Sequence, residues 1–279
     1  MEMVSAAKMR KATQTVLNSR TYASLAWSLV RQLAGKTDSS LHPLLTKRDR
    51  VKKIGLVLIT SNKGLCGGFN SHIIAKALSY IKKQSAEEVA VEVITMGKKG
   101  ADHLVKRDYS ISANFDKADA TVDLSEIRPL SKLLIDDYLS GKFDKVALAY
   151  TDFVSTLVQK PRVIEILPLD SDQLDQDLGT VGQEGPEENK IDNDFEYIFE
   201  PTPSEVLADL LPRVLETQIY QAILESNASE HSARMVAMKN ASEAASEMIE
   251  DLTLIFNKAR QSAITSELAD IVGGRAAVE

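Results

Sequence analysis

A stretch of 60 residues, from Arg213 to Val272, contains neither glycine nor proline. Its apolar positions recur at steps of three and four, the spacing of a coiled-coil seam: Met238, Ala241, Ala245, Met248, Leu252, Ile255 and Ala259. A helix of this length spans roughly 90 Å, whereas a globule of 279 residues has a diameter of about 50 Å. The sequence therefore predicts a helix that extends beyond any globular core and needs partners for its apolar side.

The beginning of the chain predicts a second long helix, because residues 1–34 also lack glycine and proline and Gly35 is a natural stop. Its seam positions are Met9, Ala12, Val16, Ser19, Ala23, Ala26, Val30 and Leu33. This segment has five basic residues against one acidic residue, whereas residues 203–279 have twelve acidic against six basic. Opposite charge and matching seams favour pairing of the two helices. The alternative is that each packs separately on a nearby core.

Between these helices, short apolar runs alternate with helical patterns. Predicted strands cover residues 54–60, 89–95, 109–113, 146–150 and 162–167. Predicted helices cover residues 71–84, capped by Asn70, 99–106 and 124–139. This alternation is typical of a small parallel sheet with helices on its faces. We therefore predict an α/β fold, a small, mostly parallel-sheet, Rossmann-like central domain flanked by long N- and C-terminal helices.

Three parts follow from these patterns: an N-terminal helix at 1–34, a central α/β domain at 35–200 and a C-terminal helix at 201–279. Within the central domain, residues 170–194 predict an acidic loop, and 195–199 a last strand. Thr202 to Glu205 form a capping-box pattern with Pro203 at the first helical position. We expect Pro212 to break or kink the C-terminal helix and Gly273-Gly274 to end it.

Composition excludes several classes of protein. The net charge of -7 and the pI near 5.3 argue against nucleic-acid binding as the main activity. The single cysteine, Cys66, excludes an internal disulfide and a multi-cysteine zinc site. No run of 18 apolar residues occurs, so the sequence predicts no membrane-spanning helix of its own.

The loop from Thr60 to Asn70 lies between a predicted strand and a predicted helix, where α/β proteins often bind phosphates. The P-loop pattern is absent from the chain, and Gly64, Gly67 and Gly68 lack the spacing of the dinucleotide fingerprint. We therefore interpret the loop as a tight turn or contact loop, and Cys66 as a small buried residue rather than a nucleophile. No catalytic, cofactor or metal site is predicted.

At this level of detail the chain resembles the gamma-subunit family of F-type ATP synthases. The matching motifs are Met3-Val4 with Ala7 to Lys11, Ser61 to Asn70, Phe199-Glu200-Pro201, Ala228 to Met235, and Asn257 to Gln261 with Ile264-Thr265. They span nearly the whole sequence in the family's order.

The resemblance implies a central rotor shaft whose terminal helices form an antiparallel coiled coil inside a ring of three alpha and three beta subunits. The α/β head would bind the epsilon subunit and the c-subunit ring. Such a subunit couples proton flow to ATP synthesis at the beta subunits and regulates ATPase activity, without an active site or cofactor of its own. Its expected location is peripheral, at the cytoplasmic face of a bacterial cell membrane, with no nucleic-acid partner.

The resemblance also implies which residues contact partners. They are Lys8, Arg10, Gly64, Cys66, Gly67, Tyr197, Phe199, Glu200, Arg260, Gln261 and Thr265. Of these, Arg260, Gln261 and Thr265 would contact loops of beta, and Tyr197, Phe199 and Glu200 would lie near the c ring. The family usually carries about twenty further helical residues before the position of Met1. We therefore expect the natural protein to start upstream, with Met1 as an internal methionine.

A coiled-coil adaptor with a ligand-binding α/β head is the alternative interpretation. The two hypotheses differ in co-purification, because a gamma subunit should travel with alpha and beta chains and with ATPase activity, whereas an adaptor should not.

Overall fold

The computed structural model describes residues 1–36, 42–48, 50–118, 123–169 and 202–278, with side chains up to residue 19 in the first helix and from residue 205 to residue 275 in the last. The strands are β1 (Lys53–Ile59), β2 (Ala90–Met96), β3 (Ile111–Phe115), β4 (Lys145–Phe153) and β5 (Gln159–Leu167). The helices are α1 (Glu2–Lys36), α2 (Phe69–Ala86), α3 (Lys98–Val105), α4 (Leu124–Leu139) and α5 (Pro203–Val278). We call residues 53–167 the head.

The five strands form one sheet in the order β3-β2-β1-β4-β5. Strands β1 to β4 are parallel, and β5 pairs antiparallel with β4 as an edge strand. The predicted small, mostly parallel sheet is therefore confirmed. The central position of β1 explains its sequence, because a strand covered on both faces is apolar throughout and Leu56, Val57, Leu58 and Ile59 are fully buried.

The two faces of the sheet carry separate apolar cores. On one face, Leu56 and Leu58 of β1 pack with residues of α2 and α3, including Ile73, Ala77 and Leu104. On the other face, Val57 and Ile59 share a core with α4 and with the first third of α5, from Leu207 to Leu224. Strand alternation thus sends neighbouring β1 side chains to different layers.

Helices α1 and α5 run antiparallel where they meet. The Ser19 hydroxyl lies 2.6 Å from Oε1 of Gln221, and Ala12 packs with Ala228 and with Phe153 of β4. The two contacts are seven residues apart in each helix and occur in opposite order along α1 and α5, as antiparallel helices require. The predicted pairing is confirmed for this part of the two helices, and Val16 of the predicted seam is fully buried.

By its internal contacts the chain divides into two units, Met1–Val236 and Ala237–Glu279. The second unit, described by itself, is the helical remainder of α5, and its side chains are exposed from Lys239 to Arg275. Its predicted seam residues Met248, Leu252 and Ile255 are 64%, 58% and 61% exposed. In the part of the chain that the structure describes, no helix is long and apolar enough to cross a lipid bilayer.

Two predictions about the ends of helices are wrong. Asn70 is the second residue of α2 rather than its cap, because its side chain bonds to the preceding loop and Gly68 stands at the cap position. Helix α1 runs one residue past Gly35, to Lys36.

For α5, the predicted break at Pro212 does not occur, and the predicted end at Gly273-Gly274 is wrong. Pro212 lies inside the helix, because Leu211, Val214 and Leu215 are buried in the core on either side of it and their packing outweighs the lost hydrogen bond. Gly273-Gly274 does not end the helix, because two glycines weaken a helix without clashing with it. The start is as predicted, at Pro203, with the Glu205 amide donating to the Thr202 hydroxyl oxygen at 3.3 Å. The predicted acidic loop and last strand lie outside the described residues.

Candidate functional site: the junction of the last helix with the head

Residues of α5 from Asn227 to Arg234 contact the head at the carboxyl ends of its parallel strands. We call this contact the junction. It comprises these α5 residues, the loop 60–70 after β1, Lys117 and Ala118 after β3, and residues 151–158 at the β4–β5 turn.

The loop 60–70 is held in shape by Asn70. The Oδ1 atom of Asn70 accepts from the Ser61 amide at 3.0 Å, and its Nδ2 donates to the Ser61 hydroxyl at 2.7 Å and to the Cys66 sulfur at 3.2 Å. The Ser61 hydroxyl donates in turn to the Lys63 carbonyl oxygen at 2.7 Å. Leu65 and Gly67 have positive φ angles of 61° and 55°, so the chain turns sharply on either side of Cys66. This leaves Cys66 buried and Leu65 68% exposed.

Short side chains of α5 bond to backbone oxygens of the head. Ser229 donates to the Thr151 carbonyl oxygen at 3.2 Å, and Ser232 donates to that of Thr156 at 2.6 Å. Arg234 donates to the carbonyl oxygens of Lys63 at 3.1 Å and Gly64 at 3.3 Å. The small serine side chains let α5 lie close to the strand ends, and the arginine reaches the loop beyond them.

The position of the junction in the sheet has a chemical consequence. The chain moves from β1 to β2 on one side and returns to β4 on the other, so strand order reverses between β1 and β4. In open α/β sheets, ligands bind in the crevice outside the carboxyl ends of the strands at this reversal. Here α5 contacts both the loop after β1 and the end of β4. The chain's own helix therefore lies against both sides of the position at which such ligands bind.

A buried group of three charges lies within the junction. The Glu230 carboxylate contacts Lys117 Nζ at 2.7 Å through Oε2 and Arg234 Nη2 at 2.8 Å through Oε1. The side chains of Lys117 and Glu230 are 2% and 3% exposed, and that of Arg234 is 12% exposed. Burial raises the pKa of Glu230, but its two cationic neighbours outweigh burial, so the pKa lies below its ordinary value. The carboxylate is thus charged, with a hydrogen bond from Lys117 to Oε2 and with Arg234 close to Oε1 but outside hydrogen-bond geometry.

Asn62 extends this group to the other side of the loop. Its Nδ2 donates to the Lys117 carbonyl oxygen at 2.6 Å, and its Oδ1 accepts from the Lys98 amide at 3.3 Å. Asn227 of α5 donates to the neighbouring Ala118 carbonyl oxygen at 3.4 Å. The loop after β1, the segment after β3 and α5 are therefore bound to one another by polar contacts.

The structure brings only some of the sequence-predicted contact residues together. Gly64, Cys66 and Gly67 share the junction loop, where Gly64 accepts from Arg234, Cys66 is buried and Gly67 is exposed. Lys8 and Arg10 lie on α1, half-buried and exposed respectively.

The remaining predicted contact residues lie elsewhere. Arg260, Gln261 and Thr265 are exposed residues of the second unit, where the Thr265 hydroxyl donates to the Gln261 carbonyl oxygen at 2.8 Å. Tyr197, Phe199 and Glu200 lie outside the described residues.

Sequence reasoning missed four residues that hold the junction together: Asn62, Lys117, Glu230 and Arg234. Glu230 and Arg234 have the i, i+4 spacing of a helical ion pair, which was a usable signal. No sequence signal pointed to Lys117, because its partner Glu230 is 113 residues away in the sequence. Within the described ranges, no cluster of three or more His, Cys, Asp or Glu side chains is arranged to hold a metal ion.

Comparison with known proteins gives full-length matches. Residues 1–278 match the family described as ATP synthase. The ATP synthase gamma chain of Pelotomaculum thermopropionicum is 42% identical over 279 residues, which cover 100% of this chain and 92% of the relative. The ATP synthase gamma chain of Nitratidesulfovibrio vulgaris strain Hildenborough is 41% identical with the same coverage.

Two solved assemblies contain chains of similar fold. A chain of the central stalk and c-ring of Tetrahymena thermophila mitochondrial ATP synthase has a TM-score of 0.63 and 22% identity, covering 87% of this chain and 97% of that one. A chain of the Euglena gracilis mitochondrial OSCP/F1/c-ring assembly has a TM-score of 0.57 and 18% identity, covering 99% and 94%. These structures establish the likeness in fold, and the sequence relatives establish the kinship. The chain belongs to the gamma-chain family of ATP synthases.

Proposed function

We propose that this chain is the central-stalk subunit of a rotary, proton-transporting ATP synthase. In this role it couples ion flow through the membrane sector to ATP synthesis at the beta subunits and regulates ATPase activity. The full-length similarity to gamma chains carries the proposal. The proposal includes the division of the chain into three parts, which are shaft helices at 1–34 and 201–279 and a central domain at 35–200.

The physical features of the chain agree with a mechanical role. Helix α5 contacts both sides of the crevice in which an α/β sheet would bind a nucleotide, and the sequence lacks a P-loop. We therefore propose that the chain has no active site of its own and that catalysis takes place in its partners. Calorimetry on the purified chain should detect no ATP binding in the micromolar range, and such binding would overturn this part of the proposal.

The proposed partners are three alpha and three beta subunits, an epsilon subunit and a c-subunit ring. A helix with Met248, Leu252 and Ile255 more than half exposed is poorly suited to water, so a partner surface must cover it. The proposed location is peripheral, at the cytoplasmic face of a bacterial cell membrane. An affinity tag on this chain should recover alpha and beta chains with ATPase activity from solubilised membranes, and recovery of the chain without them would contradict the proposal.

The proposed contact residues fall into three groups. The first comprises Lys8 and Arg10 of α1 with the junction loop at Gly64, Cys66 and Gly67, the second Tyr197, Phe199 and Glu200 near the c ring, and the third Arg260, Gln261 and Thr265 near loops of beta. Because Cys66 is buried, the loop would contact a partner through its exposed neighbours, above all Leu65.

The third group allows a direct test in the assembled complex. Arg260 is exposed and can donate several hydrogen bonds to a carboxylate. Replacing Arg260, Gln261 and Thr265 by alanine should lower ATP-driven ion pumping while the head stays folded. Replacing Lys239 and Glu243, an exposed pair on the same helix, is the matched control. Unchanged turnover and pumping in the triple variant would remove these residues from the proposal.

A further inference from the structure

We propose that Glu230 is the central residue of a latch that fixes the head to α5, so that the two turn together when the assembled complex rotates. The latch comprises Asn62, Lys117, Glu230 and Arg234. This inference rests on the proposed function and adds a positioning residue to it.

The contacts of the latch form a closed ring. Glu230 contacts Lys117, whose carbonyl oxygen accepts from Asn62 at the start of the loop. Glu230 also contacts Arg234, whose guanidinium donates to the Lys63 and Gly64 carbonyl oxygens in the middle of the same loop. The loop is therefore held at two points by groups that share one carboxylate. Removal of that carboxylate loosens both points at once.

Apolar packing is weak where the latch lies. Among the described side chains, the core cluster at this level comprises Ala12, Phe153 and Ala228, and the Phe69 ring centroid lies 5.7 Å from Lys117 Nζ. The α5 residues that face the head here include Ser229 and Ser232. Small side chains bury little apolar area, and apolar contact is non-directional, so it resists sliding poorly. Ion pairs and hydrogen bonds have fixed geometry and a large cost when one partner is displaced in a buried site. The main core holds α5 on the sheet from Leu207 to Leu224, and the latch extends that hold to Arg234 and to the loop after β1.

The test uses the assembled complex with Glu230→Gln, which keeps the size of the side chain and removes its charge. We expect the number of ions pumped per ATP hydrolysed to fall below the wild-type ratio, with alpha and beta still bound, because breaking a buried pair loosens the contact. The matched control is Glu165→Gln, which removes a carboxylate from a partly exposed pair with Lys145 on the sheet. Full coupling in Glu230→Gln would overturn the proposal.

A covalent staple separates a mechanical role from a purely structural one. Cysteines replace Thr156 and Ser232, the residues at which the Ser232 hydroxyl donates to a backbone carbonyl oxygen of the head at 2.6 Å. Loss of both free thiols first verifies that this pair has formed the staple, which joins the head to α5 independently of Glu230. In the Glu230→Gln background, disulfide formation should restore pumping, and dithiothreitol should remove the effect. A staple that forms without restoring pumping would contradict the latch.

A double variant controls for the possibility that Glu230→Gln fails to assemble with its partners. Lys117→Met with Glu230→Gln leaves no unpaired buried lysine, so it should assemble even if Glu230→Gln does not. If neither variant binds alpha and beta while the wild type does, the four residues serve folding alone and the latch is wrong. If the wild type itself binds neither, the proposed function fails instead.

Discussion

The carbonyl oxygen of Thr60 occupies the space that a β-carbon on Gly97 would need. Gly97 has a φ angle of +102°, where side chains are strained, and it directly precedes α3. The amide of Thr60 also donates to the Met96 carbonyl oxygen at 2.8 Å, and its hydroxyl accepts from the Gly100 amide at 2.9 Å. The ends of β1 and β2 thus meet at a distance that only glycine permits.

Gly97→Ala should therefore destabilise the chain by about 3 kcal/mol or more, because it adds backbone strain to an overlap with a backbone atom. Gly64→Ala is the matched control in the neighbouring loop, where the nearest atom to an added β-carbon is Lys99 Cε at 4.0 Å. Its free energy of unfolding should stay within about 0.5 kcal/mol of the wild type. Urea denaturation measures both, and equal stability of the two variants would contradict this account.

Asp144 joins the beginnings of β1 and β4. Its Oδ2 accepts from the Lys52 and Lys53 amides at 2.8 and 3.0 Å, and its Oδ1 accepts from Arg48 at 2.9 Å. Burial raises the pKa of this carboxyl, but these donors outweigh it and hold the pKa below its ordinary value. Asp144→Asn should lower the free energy of unfolding by about 1.5 kcal/mol, because charge-assisted hydrogen bonds are lost. Asp102→Asn, at an exposed position of α3, should change it little, and a loss of equal size there would refute the assignment.

Glu230 should make stability depend on pH in the acidic range. Its folded pKa lies below the ordinary 4.5, so the folded chain binds a proton less readily than the unfolded chain. The stabilisation by Glu230 is complete above the ordinary pKa of 4.5 and is lost as pH falls through the lower, folded pKa. At pH 7, Glu230→Gln should cost about 3 kcal/mol, because Lys117 is left buried without its partner. The difference in unfolding free energy between wild type and variant should shrink on acidification, and a constant difference from pH 7 to pH 3 would contradict it.

Replacing the two glycines near the end of α5, Gly273 and Gly274, should increase the stability of the helix around them. Apart from the helix's own backbone, a β-carbon on Gly273 or Gly274 would meet none of the described atoms within 4 Å. Replacing each by alanine should stabilise the surrounding helix by about 1 kcal/mol per site, seen as slower amide hydrogen exchange. Gly141→Ala is the contrasting control, because Gly141 has a φ angle of +82° just after α4 and should lose stability. Faster exchange around the alanines at 273 and 274 would argue against an intact helix there.

Local patterns determined most of the head. Helix α4 spans Leu124–Leu139, the range that the sequence predicts, because its apolar residues recur at helical spacing between polar flanks. The run before Thr60 is apolar throughout, and this identifies a strand buried on both faces. The direction of β5 could not be predicted, because a short apolar run carries no information about the strand with which it pairs. Its antiparallel course depends on the turn at residues 154–158.

The candidate site was predictable only in part. The glycine-rich loop is visible as a sequence motif, and the spacing of its glycines argues against a P-loop. The latch is a different case, because Lys117 and Glu230 meet only when β3 and α5 are both in place. Single-sequence patterns report periodicity and local capping, whereas a buried pair across 113 residues depends on the finished fold.

The sharing of a core between α5 and the sheet imposes an order on biosynthesis. Strands β1 to β4 and helices α2 to α4 leave the ribosome first, yet one face of their sheet is completed by Leu211, Leu215 and Ile219, which follow later. A nascent chain that ends before Pro203 should therefore expose this face to chaperones or to a hydrophobic dye. Chains extended beyond Arg234 should bury this face, because Leu211, Leu215 and Ile219 are then available to pack on it. Arg234 can then also bind the loop after β1. The head thus depends on the last quarter of the chain to complete its core, although the head itself is synthesised first.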